Sequence, residues 1–302
     1  MPPGLNLAKI SAVVLPAMKI GIFADLTDET MPILDFAHAV EERGLGGLFL
    51  NEHTHLPVDH STSKFPGGGT TPERYARFWD PYIALSFVAA QTSLEIGTAV
   101  SLIGEHDPIA LAHQIATLDH LSNGRFVFGV GWGWNREEFA NHGKSPKARA
   151  RVVREWVQVM REIWTNEVAQ YDGEFVHLAP SRAWPKPIQK PHPPVILGGP
   201  ASEKNFRRIA EWCDGWITMG QSIIDPKFAE DVALLRRIWE EAGRDPSALR
   251  LNLVYNPLPD APPLDECFNR ARELGAERFL FHVFEGDADR MLRRLDLSLI
   301  HI

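Results

Sequence analysis

From Met18 onward, short runs of branched and aromatic residues alternate with longer stretches whose apolar positions recur every three or four residues. Lys19 to Phe23 reads as a first strand with Asp25 just beyond it, and Met31 to Arg43 as a helix with Ile33, Leu34, Ala37 and Val40 on one face and Gly44 ending it. Gly47 to Leu50 is a second strand, closing in Asn51-Glu52-His53. The alternation continues with helix Pro81 to Gln91, strand Leu94 to Ser101, helix Pro108 to Leu121 and strand Arg125 to Val130. Helix Lys147 to Trp164 precedes strand Val195 to Leu197, and helix Glu203 to Trp212 precedes strand Trp216 to Thr218. Helix Pro226 to Ala242, strand Leu251 to Val254, helix Leu264 to Leu274, strand Phe279 to Val283 and a closing helix from Ala288 to Leu295 complete the series. Two stretches interrupt it. Thr54 to Asp80 is Pro/Gly-rich, dotted with aromatics and long enough to suggest a function, with a lid-like centre from Lys64 to Thr71. Tyr171 to Leu178 reads as a hairpin ahead of the proline-rich segment Pro180 to Pro194.

Eight strands alternating with helices predict an α/β fold, a (β/α)8 TIM barrel with insertions, as a single domain over 18–302 behind an extension at 1–17. A doubly wound sheet would need a phosphate loop after the first strand, and Ala24-Asp25-Leu26-Thr27 is not one. In a barrel, the strand ends all face one mouth, where such folds keep their chemistry.

Composition narrows the function classes. The 302 residues carry 44% hydrophobic side chains, enough for a large core. A net charge of −8 with no basic run disfavours a nucleic-acid surface or an anionic membrane as partner. Cys213 and Cys267 fit neither a C-x-x-C site nor a disulfide framework, so a cytoplasmic setting is expected. No run of about 18 apolar residues offers a membrane span, and only Lys9 precedes the short apolar run Ile10 to Leu15, a poor signal peptide.

The chain is organised around Arg125 to Glu138. Behind the Asn123-Gly124 turn, Arg125 to Val130 has the near-continuous apolar character of a strand buried on both faces. Gly129, Gly131 and Gly133 then alternate at its carboxyl end, where missing Cβ atoms allow a sharp turn and the approach of a flat ligand to the backbone. Trp132 and Trp134 flank these glycines, and Asn135 is placed to cap a helix with Glu137 and Glu138 in its first turn. The alternative is a tight turn with tryptophans used as packing. The spacing is not a Rossmann fingerprint, which would need glycine at Trp134.

Two other strand ends carry candidate chemistry. His53 beside Glu52 is the first candidate for proton transfer near neutral pH. His53, His55 and His60 also raise a metal reading, but no metal-ligand spacing supports it and none is expected. Leu197-Gly198-Gly199-Pro200-Ala201-Ser202-Glu203 combines a strand end, a glycine pair and a capped helix, a ready anion site that also makes an ordinary turn. With the Gly-Trp-Gly-Trp segment it describes a pocket for a flat ring bearing a phosphate tail.

These segments, with Gly97-Thr98-Ala99-Val100-Ser101 and Asp214-Gly215-Trp216, resemble the bacterial luciferase-like superfamily of flavin and deazaflavin oxidoreductases, in its branch dependent on coenzyme F420, from about Met18 to Val283. The resemblance implies that Glu52 and His53 sit at the reacting ring. It implies that a bulge with a non-prolyl cis peptide at Ala99-Val100 braces the back of that ring. It also implies that Gly198, Gly199, Pro200 and Ala201 take the phosphate end while Gly131, Trp132 and Gly133 line the site.

The chain departs from the sugar-phosphate dehydrogenases of that family in reading Thr54-His55-Leu56-Pro57 where they carry a tryptophan, and Trp134 where they place a glutamate after the glycines. An uncharged organic substrate, met by Trp134, Trp79 and Phe78 as well as Trp132, is therefore expected. The expected activity is hydride transfer with coenzyme F420, His53 managing the proton and Glu52 orienting it. An FMN-dependent monooxygenase using reduced flavin and oxygen is the alternative, and a non-catalytic flavin-binding relative the second. A homodimer is what the resemblance implies.

Overall fold

The computed structural model describes residues 18–218, 223–257, 261–284 and 286–299; the extension expected at 1–17 lies outside them. Strands β1 (Lys19–Ala24), β2 (Gly47–Leu50), β3 (Glu95–Thr98) and β4 (Phe126–Val130) pair side by side in parallel. β5 (Ala169–Asp172) and β6 (His177–Ser181) form the expected antiparallel hairpin outside the barrel. β7 (Val195–Gly198), β8 (Gly215–Ile217), β9 (Arg250–Tyr255) and β10 (Arg278–Val283) continue the parallel series, and β10 pairs back onto β1. The result is the closed eight-stranded (β/α)8 barrel that the periodicity predicts.

The helices are α1 (Ile33–Glu42), α2 (Pro81–Gln91), α3 (Pro108–Leu121), α4 (Arg136–Asn141), α5 (Arg149–Thr165), α6 (Glu203–Trp212), α7 (Pro226–Glu241), α8 (Leu264–Glu273) and α9 (Ala288–Leu299). Three start with the same device. Asp80, Asp107 and Asp225 accept from backbone N–H groups of α2, α3 and α7, and each is followed by a proline whose φ already suits the first turn.

Strand side chains alternate between two cores, which is why these strands read as continuous apolar runs. Leu48, Leu50, Phe126, Phe128, Val195, Leu197 and Trp216 pack outward against the helices. Phe23, Phe49, Val127, Ile196, Ile217, Val254 and Leu280 fill the barrel interior, with partly buried Val100 against them. At the amino-terminal end the interior is closed by a buried ion pair. Arg278 donates to Glu95 at 2.5 and 2.8 Å and to Asn252 Oδ1 at 3.2 Å. All of the candidate chemistry lies at the other end.

Candidate active site

The barrel mouth is shaped by the way β3 ends. A strand was expected through Ser101, but the ladder stops at Thr98, the Ala99-Val100 peptide is cis, and Ser101 rejoins only as a single bridge to Val130. The Val100 side chain then occupies the space beside two neighbouring strand ends. A Cβ on Gly131 would stand 2.6 Å from Val100 Cγ2, and one on Gly198 2.7 Å from Val100 Cγ1. A Cβ on Gly129 would stand 1.9 Å from the carbonyl oxygen of Thr98. Gly129, Gly131 and Gly133 are expected to allow a sharp turn and the approach of a ligand. In the structure Gly129 and Gly131 make room first for the irregular end of β3, and Gly133, at φ +70°, makes the turn.

Glu52 and His53 leave β2 in different directions. Ser101 Oγ and the Leu102 N–H donate to Glu52 Oε2 at 2.6 and 2.7 Å, and His106 Nε2 lies 2.7 Å from Oε1. Burial pushes the Glu52 carboxyl up, but hydrogen bonds and charge from His106, with the Ser101 and Leu102 bonds, outweigh it and hold the pKa below its ordinary value. His53 is held instead by Glu138, whose Oε2 lies 2.6 Å from Nδ1. This corrects the expectation that Glu52 orients the imidazole: its own oxygens are engaged by Ser101, Leu102 and His106. Trp134 Nε1 donates to His53 Nε2 at 3.1 Å. An indole only donates, so Nε2 is the acceptor and Nδ1 carries the proton given to Glu138.

Glu138 is fully buried in the first turn of α4, where Asn135 Oδ1 accepts from its backbone N–H at 3.0 Å. Asn followed by Glu three residues on suggests a carboxylate that folds back onto its own cap. Here it reaches across to His53 and accepts from the Thr54 N–H at 2.9 Å. The sequence placed Glu138 in the first turn of this helix, within the segment that carries the resemblance, but did not pair it with His53.

The loop from Thr54 to Asp80 packs its rings around His53. Tyr75, Trp134 and Phe78 have centroids 5.0, 5.7 and 6.1 Å from the imidazole, and Phe65 lies 5.6 Å from Trp134. Phe78 and Trp134 are thus brought together as expected, while Tyr75 and Phe65 were not foreseen. Trp79 is 46% exposed, and its ring is not among this group. An open cavity of about 580 Å³ lies within the loop, lined by His60, Lys64, Phe65 and Thr71 among others, and His60 and Phe65 both touch Trp134. Arg74 fastens the loop to the barrel through Asp25 at 2.8 Å, and Asp25 also meets His282 Nε2 at 3.0 Å and accepts from Asn51 Nδ2 at 2.9 Å. Burial raises the Asp25 pKa, but His282 and Arg74 outweigh it and leave the carboxyl below its usual range.

Trp132 belongs to a second group. The Arg208 guanidinium lies 5.2 Å from its ring centroid, and Gly199 lies beside the same ring. Arg208 donates to Asn205 Oδ1 at 2.8 Å, Asn205 Nδ2 donates to the Pro200 carbonyl at 2.9 Å, and Ser202 Oγ caps α6 by accepting from the Asn205 N–H. Gly198, Gly199, Pro200 and Ala201 therefore lead into a capped ten-residue helix with a cation on its first turns. Among the described residues, no group of three or more His, Cys, Asp or Glu side chains is arranged to hold a metal ion.

Residues 18–257 match the family model of luciferase-like monooxygenases. An uncharacterized protein of Mycobacterium tuberculosis is 42% identical over 275 residues, covering 90% of this chain and 94% of its own. Among solved structures, a monooxygenase from Streptomyces bottropensis superposes with a TM-score of 0.74 at 20% identity, over 94% of this chain and 98% of the other. An F420-dependent secondary alcohol dehydrogenase, solved with an F420-acetone adduct, superposes with a TM-score of 0.73 at 17% identity over the same shares.

Proposed function

The chain belongs to the luciferase-like monooxygenase family, and from that premise we propose that it is an oxidoreductase transferring a hydride between coenzyme F420 and a small, uncharged organic substrate. The observation that carries this reading is His53, buried at the end of β2 with its proton on Nδ1, shared with Glu138, and its Nε2 lone pair turned to the Trp134 indole. A hydroxyl-to-carbonyl interconversion needs a group that takes up or returns one proton as the hydride moves, and an imidazole of fixed tautomer does this near neutral pH.

The residues present fit such a coenzyme. Val100, with Gly131 and Gly198 lacking Cβ atoms on either side of it, offers a partly buried apolar surface at the mouth against which the coenzyme ring would lie. Gly199, Pro200 and Ala201, the start of α6 and Arg208 would hold the anionic end. When bound, the deazaflavin supplies the two-electron, hydride-carrying chemistry. In the protein's part, His53 Nε2 accepts or returns the hydroxyl proton as the substrate hydroxyl displaces the Trp134 N–H from it, Glu138 keeps the ring oriented, and Phe65, Tyr75, Phe78 and Trp134 shield the site from water. Those rings present apolar faces, which favours an uncharged substrate.

An FMN-dependent monooxygenase is the second reading, supported by the family's description and by an apolar surface that would serve either ring. Titration of the purified protein with F420 and, separately, FMN, followed by fluorescence quenching, separates the readings. Preference for F420, with F420 reduction by added alcohols, supports hydride transfer. Preference for FMN with oxygen uptake supports the second, and binding of neither overturns both.

A further inference from the structure

Behind His53 runs a line of hydrogen-bonding groups that hydride transfer by itself leaves unused. Glu138 Oε1 lies 3.4 Å from Thr54 Oγ1, and that hydroxyl lies 2.9 Å from both His142 Nε2 and His55 Nδ1. Asn141 Nδ2 lies 2.8 Å from His55 Nε2. With the amide donating, His55 carries its proton on Nδ1 and gives it to Thr54 Oγ1. The hydroxyl's own proton is then directed to His142 Nε2. Glu138 is fully buried, whereas the His142 side chain is 26% exposed at the end of α4. The line thus leads from the buried imidazole to water.

We propose that Glu138, Thr54 and His142 form a proton path that exchanges the Nδ1 proton of His53 with solvent while substrate and coenzyme cover Nε2. The path's catalytic use rests on the hydride reading. In the oxidative direction, the substrate C–H pair leaves as hydride to the coenzyme and its O–H proton goes to His53 Nε2. The Nδ1 proton passes to Glu138, and Glu138 protonates Thr54 Oγ1 as that hydroxyl gives its own proton to His142 Nε2. His142 releases its Nδ1 proton to water, so one proton enters and one leaves. Once product has left, Nε2 gives its proton to water entering the mouth, and the path run in reverse returns one to Nδ1, which restores the starting tautomer.

The surrounding charges permit this. Glu105 Oε2 lies 3.4 Å from both Thr54 Oγ1 and His142 Nε2. Burial, with Glu138 and Glu52 nearby, pushes its pKa up to about 9, so it adds no fixed negative charge to trap a proton near neutral pH. Burial, His55 and Lys144 lower the His142 pKa, which favours release over retention. His106 also faces His142, but it is engaged by Glu52.

The first test needs no coenzyme. In protein with 15N-labelled histidine, NMR reads the exchange of the His53 Nδ1 proton with water. Thr54→Val, which keeps the backbone N–H to Glu138 and removes only the hydroxyl link, and His142→Ala should each slow that exchange by on the order of 10-fold. Unchanged exchange in both, with the His53–Glu138 resonance intact, overturns the path. In the loaded enzyme, added imidazole should restore the turnover lost in His142→Ala but not that lost in Thr54→Val, a split that a merely structural role for His142 would not produce. Slowed exchange in a protein without F420 activity would keep the path and sink the hydride reading. Normal exchange with F420 activity would do the reverse.

Discussion

The indole N–H of Trp134 donates to Nε2 of His53 at 3.1 Å while Glu138 holds Nδ1 of the same ring at 2.6 Å, so the tautomer of the candidate base is set from both sides. Trp134→Phe keeps an aromatic face beside the imidazole and removes the donor. The expected result is a mixture of tautomers in the 15N spectrum of His53 where the unaltered protein shows Nδ1–H alone. A spectrum identical to that of the unaltered protein would mean that Glu138 sets the tautomer by itself.

His53→Ala should lower kcat by on the order of 100-fold with little change in coenzyme affinity, because the ring moves a proton and does not hold the coenzyme's anionic end. Glu138→Gln should lower kcat in the same sense, since it removes the carboxylate that receives the Nδ1 proton. Steady-state kinetics beside a coenzyme titration checks both. Full turnover in His53→Ala would remove it from the chemistry.

Gly198→Ala forces a Cβ to within 2.7 Å of Val100 Cγ1 on a stiff, branched side chain. A loss of about 1 to 3 kcal/mol is expected. Val100→Ala clears the contact, so the double variant should regain much of that loss, a coupling that denaturant titration of all four proteins would measure. Simple additivity would show that the glycine is needed for some other reason.

Glu105 makes folding sensitive to alkali. Its folded pKa, near 9, lies above the ordinary carboxyl value of 4.5. As pH rises between those values the unfolded chain loses a proton that the folded chain keeps, so stability falls, at up to about 1.4 kcal/mol per pH unit. Glu105→Gln should flatten that decline in urea titrations between about pH 5 and pH 8. Glu52 has the opposite sign. Its depressed pKa contributes stability above the ordinary carboxyl range that is lost as the solution is acidified through the folded value.

Where local chemistry ends an element, the chain is legible to the residue. Helices Pro81–Gln91 and Pro108–Leu121 match their predicted bounds because Asp-Pro starts them, and Glu203–Trp212 because Ser202 caps it. The third strand was predicted through Ser101, yet its ladder stops at Thr98, at the cis peptide that the resemblance implied for Ala99-Val100, and Val100 settles over Gly131 and Gly198. Trp79 was expected with Phe78 and Trp134 around an uncharged substrate, but neighbours in an extended segment point to opposite sides, and of the two only Phe78 packs against His53.

By itself the sequence determined the barrel, its strand order and the mouth at which the chemistry gathers, since periodicity, caps and glycines act within a few residues of one another. Only the tertiary structure decided which carboxylate serves His53. Glu52 is its neighbour in the chain and Glu138 is 85 residues away, yet Glu138 makes the bond. Successive residues leaving a strand point apart, and a buried carboxylate bonds whichever donors the closed barrel brings to it.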